Sequence, residues 1–373
     1  MILPVFIIHY IIVLLQNRFL FFGAADVADY QHYFQDFSSI SSVSGLTDFF
    51  SAHVPFYTML YPGWLYSVFG ADSFIIIRLI NFSLVLFSVV PLNNILDRIF
   101  NVSLRPWQLL LIIFLPSTTR YSVMVGRDMV AAFLILLFIS SFLDTIYRKS
   151  QRHILWFLFI TLALLLTRIH NLILLVGVII SMLLLKSVNS KQKVRDHIIL
   201  VPFVIIISVV SYQLFIMYGP SYHAITNVES LASVAQARAQ GNTVYLEEYY
   251  PSTIFDMMWY APLHGFYFLF SPMPWSIFSI ETLVAFIESW TVLILITVAI
   301  VFGRDEIKNN RCLQLVVLII VIFAVGFGVG VKNAGGAMRW RIPATILLFT
   351  LSTTVVDITW RNRTNEKSQL SHK

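Results

Sequence analysis

Two aspartates beyond the first apolar stretch are the residues best suited to acid–base chemistry. Asp26 and Asp29 are three positions apart in segment 23–33, and in a helix this spacing places both carboxyl groups on one face. A carboxyl group beside apolar surface holds its proton more tightly than one in water, which suits it to act as a general base. Both aspartates are therefore candidate catalytic bases. Helix capping or a solvated loop is the alternative for either one taken singly.

Six basic residues at the ends of apolar segments form a second candidate set. Charged groups in or against a bilayer are costly and usually face a cavity or a partner. The planar guanidinium group of arginine can donate two parallel hydrogen bonds to a phosphate. We expect at least two of the six to bind phosphate, although an ion pair or a lipid contact explains each one alone. The set consists of Arg120, Arg127, Arg168, Lys332, Arg339 and Arg341.

Aromatic residues supply a candidate substrate groove. Segments 55–66 and 257–275 interleave aromatic and polar side chains, a pattern typical of chain that lies at the headgroup level of a membrane. The candidate groove residues come from these segments, from the neighbourhood of the two aspartates, and from the histidine beside one candidate arginine. They are Tyr30, Tyr57, His170 and Trp275.

Metal chemistry has little support in the sequence. The histidines do not show a helical spacing that would bring two of them to one metal ion. The single cysteine, Cys312, excludes a disulfide within the chain and a cysteine-rich metal site. We expect no cofactor, and a divalent ion held by Asp26 and Asp29 is the alternative.

The elements that must position these residues are membrane helices. Hydrophobic residues make up 58% of the 373 positions and charged residues 12%, and the mean hydropathy is +0.80. Soluble domains carry about 25% charged residues, roughly twice this share. The sequence therefore predicts an all-α, polytopic transmembrane bundle that forms one integral membrane domain over residues 1–373.

Ten apolar segments are predicted to cross the bilayer, since a helical span needs about 20 apolar residues. Some of them are short. The apolar part of the later loop 219–282 is predicted to be re-entrant or interfacial, because another full span would reverse the sides of everything after it. The predicted spans are 2–22, 73–92, 107–119, 129–147, 154–167, 171–186, 198–218, 283–302, 312–331 and 342–358.

The charges on the connecting segments predict the orientation. The first loop, 23–72, contains five aspartates and neither lysine nor arginine. Loops rich in lysine and arginine face the cytoplasm, so both termini are expected there, in a multi-pass protein of the plasma or inner membrane. The net charge of +6 is then an orientation signal, and nucleic acid is excluded as a partner. The basic segments are 93–106, 148–153, 187–197, 303–311 and the tail 359–373.

Short motifs in this layout resemble the GT-C superfamily of polyprenyl-phosphate-sugar-dependent glycosyltransferases. The resemblance covers most of the chain as an arrangement of loops and spans, but its motifs are degenerate. The motifs are the aspartate-bearing first loop, Pro55, Tyr57, Leu60, Phe69-Gly70, Arg78, Asn81, Arg127-Asp128 and Arg339-Trp340-Arg341-Ile342-Pro343.

This resemblance implies a lipid-linked sugar donor, a base in the first outer loop and basic residues on the donor phosphate. Carried over, Asp26 or Asp29 would be the base, and Arg339 and Arg341, with Lys332 as a further candidate, would hold the phosphate. Many family members have an adjacent acidic pair in that loop, whereas Val27-Ala28 separates the pair here. Which aspartate serves as the base is therefore open.

Three functions remain after this comparison of motifs. The first is glycosyl transfer from a polyprenyl-phosphate- or diphosphate-linked sugar to a glycan or lipid-linked hydroxyl acceptor, in cell-surface glycan synthesis. The same features resemble polymerases of lipid-linked polysaccharide repeat units, for which loop 219–282 would be the long outer loop. A transporter or flippase of lipid-linked sugars is the third, but only Arg78 lies deep in a predicted span and no internal repeat is evident. Glycosyl transfer is the expected function.

Overall fold

The computed structural model of the protein describes residues 2–19, 25–40, 55–148, 150–188, 243–247 and 253–371, with the single residues 233, 236, 239 and 249. Within these residues the chain is helical and contains no β-strand; one isolated antiparallel bridge pairs Val244 with Asn333. This confirms the predicted all-α fold class.

The helices of the described residues are, in chain order, α1 (Ile2–Phe19), α2 (Ala25–Ser38), α3 (Pro55–Leu60), α4 (Pro62–Phe69), α5 (Ser73–Phe87), α6 (Val89–Phe100), α7 (Pro106–Phe114), α8 (Pro116–Ser122), α9 (Asp128–Arg148), α10 (Gln151–Thr167), α11 (Leu172–Val188), α12 (Ile254–Phe270), α13 (Ile280–Phe302), α14 (Arg304–Asn309), α15 (Arg311–Gly330), α16 (Ala334–Trp340) and α17 (Ile342–Ser371).

Several of these helices are long and apolar enough to cross a membrane, as the composition predicts. Five described helical stretches meet this requirement, and shorter apolar helices lie at Ile7–Phe19, Gln151–Thr167 and Leu172–Ser181. The predicted number of ten spans is not confirmed, and the predicted span 198–218 lies outside the described residues. The five stretches are Pro62–Phe100, Asp128–Arg148, Ile280–Phe302, Arg311–Gly330 and Ile342–Thr364.

The predicted span 107–119 is divided into two short helices. α7 ends at Phe114, and α8 begins at Pro116 after Leu115 adopts an extended backbone conformation (φ −55°, ψ 130°). Proline lacks a backbone N–H and disfavours helical geometry in the residue before it. The predicted span 107–119 is therefore not one continuous helix, and α8 is a separate element.

Glycine residues bring α12 unusually close to α15. A Cβ added to Gly328 would lie 2.5 Å from the carbonyl oxygen of His264, and one added to Gly265 would lie 3.0 Å from Val325 Cγ2. Small residues allow helix backbones to approach in this way. The loop 219–282 was predicted to carry a re-entrant or interfacial segment, and α12 is the helix within it. The chain then bends at residues 271–279 before α13 begins.

A cluster of aromatic residues joins the first loop to the bundle. Tyr30 and Phe34 of α2 pack with Tyr57 of α3 and with Phe74 of α5. The Tyr30 ring lies 5.6 Å from the Tyr57 ring in an edge-to-face contact. This packing fixes α2, and hence the backbone that carries the two predicted bases, beside the start of α9.

Candidate functional site

Asp128, the first residue of α9, joins three parts of the chain. Its Oδ1 accepts a hydrogen bond from Nη2 of Arg168, at the end of α10, and its Oδ2 accepts one from Nε of Arg339, in α16, at 2.5 Å. The Asp128 side chain is 5% exposed. Arg127 is also close enough to interact with this carboxylate electrostatically. We call the group formed by Arg127, Arg168 and Arg339 around Asp128 the arginine cluster.

The irregular loop before Asp128 is held by a buried amide. Asn81 donates from Nδ2 to the carbonyl oxygens of Met124, at 2.9 Å, and Gly126, at 3.3 Å. Its Oδ1 accepts a hydrogen bond from the hydroxyl of Tyr61 at 2.7 Å. Buried backbone carbonyls outside a helix need such partners. Asn81 therefore positions the loop that presents the cluster, a role that the motif alone did not reveal.

Aromatic and histidine side chains enclose the cluster. The Arg168 guanidinium lies 5.2 Å from the centre of the Trp340 ring, and the His170 ring lies 5.5 Å from the same ring. On the other side, the Tyr30 hydroxyl accepts from the backbone N–H of Arg127 at 3.5 Å. The structure thus brings two predicted groove residues, Tyr30 and His170, to the arginine cluster. Trp340 joins them, and it was not singled out in the sequence.

Several guanidinium donors in this region have no acceptor. Arg127 Nη1 donates to the carbonyl oxygen of Thr167 at 3.3 Å. Within the described part of the chain, however, the buried Nε atoms of Arg120, Arg127 and Arg168 have no hydrogen-bond partner. Burial lowers the pKa of Arg168 to about 10, so this group remains charged at neutral pH. The arginine cluster and its surroundings therefore combine positive charge with N–H donors that have no acceptor among the described residues.

A cavity of about 320 Å³ adjoins the cluster, and Arg120 and Arg339 both line it. We call it the arginine cavity. Glu281 lies at its edge, 70% exposed, with Oε2 3.5 Å from Nη1 of Arg120. Gly335 and Gly336, at the start of α16, also line the cavity. The volume falls within the range of about 300–1,000 Å³ that small-molecule sites occupy.

Lys332 is buried in a separate contact with His264. Its Nζ lies 3.0 Å from His264 Nδ1, 2.9 Å from His264 Nε2 and 3.0 Å from the carbonyl oxygen of Tyr249, which also lies 3.1 Å from His264 Nε2. The Lys332 ammonium group can donate to the Tyr249 carbonyl oxygen and to one ring nitrogen of a neutral His264. Burial lowers the pKa of Lys332 to about 8. The partner histidine was not identified from the sequence.

Arg341 occupies a different environment from Arg339, although the two are neighbours in sequence. It is buried and donates from Nη1 to the carbonyl oxygens of Phe268, at 3.1 Å, and Ser271, at 2.6 Å. Its Nη2 donates to Ser289 Oγ at 2.5 Å. These bonds tie the end of α12 to α13. None of these acceptors belongs to the arginine cluster, so the structure does not bring Arg341 to it.

The remaining predicted residues are distributed around this site. Asp26 and Asp29 belong to the first turns of α2, and their side chains lie outside what the structure describes. Tyr57 is fully buried behind Tyr30 and supports it. Trp275 is 69% exposed in a short 3-10 turn after α12 and is not among the residues that line the arginine cavity.

Among the described residues, no group of three His, Cys, Asp or Glu side chains is placed to hold a metal ion. Comparisons with protein-family models, curated proteins and solved structures found no match. The class that fold and site define is an α-helical protein with several membrane-length helices and a buried cationic site at their ends. Its function has to be argued from that geometry.

Proposed function

We infer that the protein transfers a glycosyl group from a polyprenyl-phosphate- or diphosphate-linked sugar to a hydroxyl acceptor at the outer face of the membrane. The observation that carries this proposal is a set of buried Nε–H groups that have no partner among the described residues: that of Arg120, which lines the arginine cavity, and those of Arg127 and Arg168 in the adjoining arginine cluster. The product would belong to a cell-surface glycan or polysaccharide.

An oxyanion is the ligand that such a site favours. A buried donor without an acceptor costs about 1–3 kcal/mol, and more when the group is charged. One phosphate offers several anionic oxygens, which can accept from more than one guanidinium group at once. Binding of a phosphate would therefore satisfy donors that the described protein groups leave without an acceptor.

The position of the cluster along the helices favours a phosphate attached to a lipid. Arg127 directly precedes the membrane-length helix that begins at Asp128. Arg339 lies three residues before the one that begins at Ile342. A phosphate held at these helix ends would lie at the boundary between headgroups and hydrocarbon, with its polyprenyl chain in the apolar layer. A free, water-soluble phosphate compound would not require a binding site at this depth in the membrane.

The proposed reaction is a direct displacement at the anomeric carbon. Asp26 or Asp29 removes the proton of the acceptor hydroxyl, and the acceptor oxygen forms the new bond to the anomeric carbon. The bond from that carbon to the phosphate oxygen breaks, and its electron pair stays on the departing polyprenyl phosphate or diphosphate. Arg127, Arg168 and Arg339 stabilise the charge that develops on the leaving group. No oxidant or reductant is required.

The test measures glycan and lipid-linked precursor in a deletion strain complemented with single variants. We expect Asp26→Asn or Asp29→Asn, and also Arg168→Gln, to lose the glycan and to accumulate precursor on the outer leaflet. Arg304→Ala, in the exposed helix α14, is the control and should retain the glycan. Membrane expression is checked for each variant.

Other outcomes distinguish the alternatives. Accumulation of precursor on the inner leaflet would favour a transporter of lipid-linked sugars. Glycan made as single, unlinked repeat units would favour a polymerase. Full glycan production by all of the Asp26, Asp29 and Arg168 variants would contradict the proposed site itself.

A further inference from the structure

A second cavity lies at the opposite end of the bundle from the arginine cavity. The helix α13 begins near Glu281, at the edge of the arginine cavity, and ends at Phe302, which lines the second cavity. About 20 helical residues separate these positions, which corresponds to a rise of about 30 Å. A bilayer has a hydrocarbon core of about this thickness. The two cavities are therefore separated along α13 by about the thickness of a hydrocarbon core.

The second cavity has an apolar floor and a polar rim. Its volume is about 330 Å³, and it lies between α13 and α17, which pack against each other. Val298, Phe302 and Val356 form the apolar part. The rim, toward the end of the membrane-length stretch Ile342–Thr364, consists of Thr359, Trp360, Arg363 and Thr364.

The cation on this rim is Arg363. Its guanidinium lies 5.3 Å from the centre of the Phe302 ring. Among the side chains that the structure describes, no carboxylate lies at ion-pair distance from Arg363, whereas its neighbour Arg361 pairs with Asp357 at 3.5 Å. Trp360 is 74% exposed beside it, as is typical of tryptophan at the membrane–water boundary.

We propose that this cavity binds one anionic phospholipid, with the headgroup phosphate on Arg363 and an acyl chain on the apolar floor. The Arg363 guanidinium supplies charge complementarity to the phosphate, and basic residues next to a span attract anionic lipids. The apolar floor distinguishes this ligand from a free phosphate, which has no group to place there.

The threonine hydroxyl groups on the rim indicate which lipid headgroup the cavity favours. Thr359 Oγ1 donates to the carbonyl oxygen of Val355 at 2.9 Å, and Thr364 Oγ1 donates to that of Trp360 at 2.9 Å. Each hydroxyl has one proton, so both threonines offer the ligand acceptor lone pairs only. A headgroup that carries hydroxyl donors beside its phosphate matches them. Phosphatidylglycerol has such a headgroup, and phosphatidylcholine does not.

The experiment uses the full chain, purified and delipidated in a neutral detergent. Equal amounts of phosphatidylglycerol and phosphatidylcholine with the same acyl chains are added, and the bound lipids are counted by native mass spectrometry. One cation near a membrane surface contributes about 1 kcal/mol, so the wild type should retain phosphatidylglycerol about fivefold over phosphatidylcholine. Arg363→Gln should clearly lower this ratio.

Arg361→Gln is the matched control, because it removes a cation two residues away that already has a carboxylate partner. It should keep the wild-type ratio. A second variant, Val298→Trp, reduces the space on the apolar floor and should lower the retention of both lipids. An unchanged ratio in Arg363→Gln, an equal loss in Arg361→Gln, or unchanged retention in Val298→Trp would each overturn the proposal.

Discussion

Asp128 is the residue on which the arginine cluster depends most. Its two carboxyl oxygens accept from Arg168 and Arg339, which come from α10 and α16. In the sequence Asp128 is noted only within the motif Arg127-Asp128, which does not indicate these remote partners. Such partners depend on which helix ends meet in three dimensions, and residue spacing along the chain does not reveal that.

Replacing Asp128 by asparagine tests this dependence. The Asp128→Asn variant keeps the shape of the side chain but leaves the guanidinium groups of Arg168 and Arg339 without their shared carboxylate. Removing one partner of a buried ion pair costs about 3–5 kcal/mol. We expect a clearly lower Tm for the purified, detergent-solubilised variant in a thermal unfolding experiment.

Asp97→Asn is the control for this experiment. Asp97 is 53% exposed and lies 3.7 Å from Arg98, and exposed pairs contribute about 0–1 kcal/mol. Its Tm should stay near that of the wild type. The double variant Asp128→Asn/Arg168→Gln removes both charges and should recover part of the lost stability. Equal Tm values for wild type and Asp128→Asn would contradict the proposed dependence.

At the scale of elements, apolar runs predicted where the helices lie, and backbone chemistry decided where they stop. The predicted spans 129–147, 283–302 and 312–331 correspond closely to α9, α13 and α15. The division of 107–119 does not follow from the length of the apolar run; it follows from Pro116, which breaks the helix. The close contact of Gly328 with α12 joins segments far apart in the chain, and the partner helix was not evident from the sequence.

Gly328 provides a direct test of that contact. A methyl group at this position would lie 2.5 Å from the backbone oxygen of His264, and a backbone atom cannot move aside as a flexible side chain can. Overpacking of this kind costs about 1–3 kcal/mol, so Gly328→Ala should lower the Tm. Because α12 also carries His264, the contact of its ring with Lys332 should be disturbed as well.

Gly330→Ala is the matched control, since a Cβ at Gly330 would have no neighbour within 4 Å. Both variants add one methyl group to the last turns of α15, and only one of them adds it against another helix. The Tm of Gly330→Ala should match the wild type or exceed it slightly, because alanine favours helix more than glycine does. The same loss of Tm in both variants would show that helix propensity, and not the contact, is responsible.

At the scale of the whole molecule, composition was a sufficient guide to the class of protein, while the arrangement of the site required the structure. The high share of hydrophobic residues predicted a helical membrane protein, because a helix is the form in which one chain segment satisfies its own backbone polar groups in lipid. The six basic candidates were alike in sequence, yet they divide among four environments. Arg127, Arg168 and Arg339 meet at Asp128, and Arg120 lies by Glu281 at the arginine cavity. Lys332 contacts His264, and Arg341 holds the end of α12 to α13.

The predicted orientation of the bundle can be tested on α13, which links the two cavities. Glu281 lies at its first turn and Asp305 just beyond its end, and both are exposed. In a background with Cys312→Ala, Glu281→Cys should react with a membrane-impermeant maleimide in intact cells. Asp305→Cys should react only after the membrane is opened, because lysine- and arginine-rich connections such as 303–311 stay in the cytoplasm. The reverse pattern would place the arginine cavity on the cytoplasmic side, and reaction of both residues in intact cells would show that α13 does not cross the membrane.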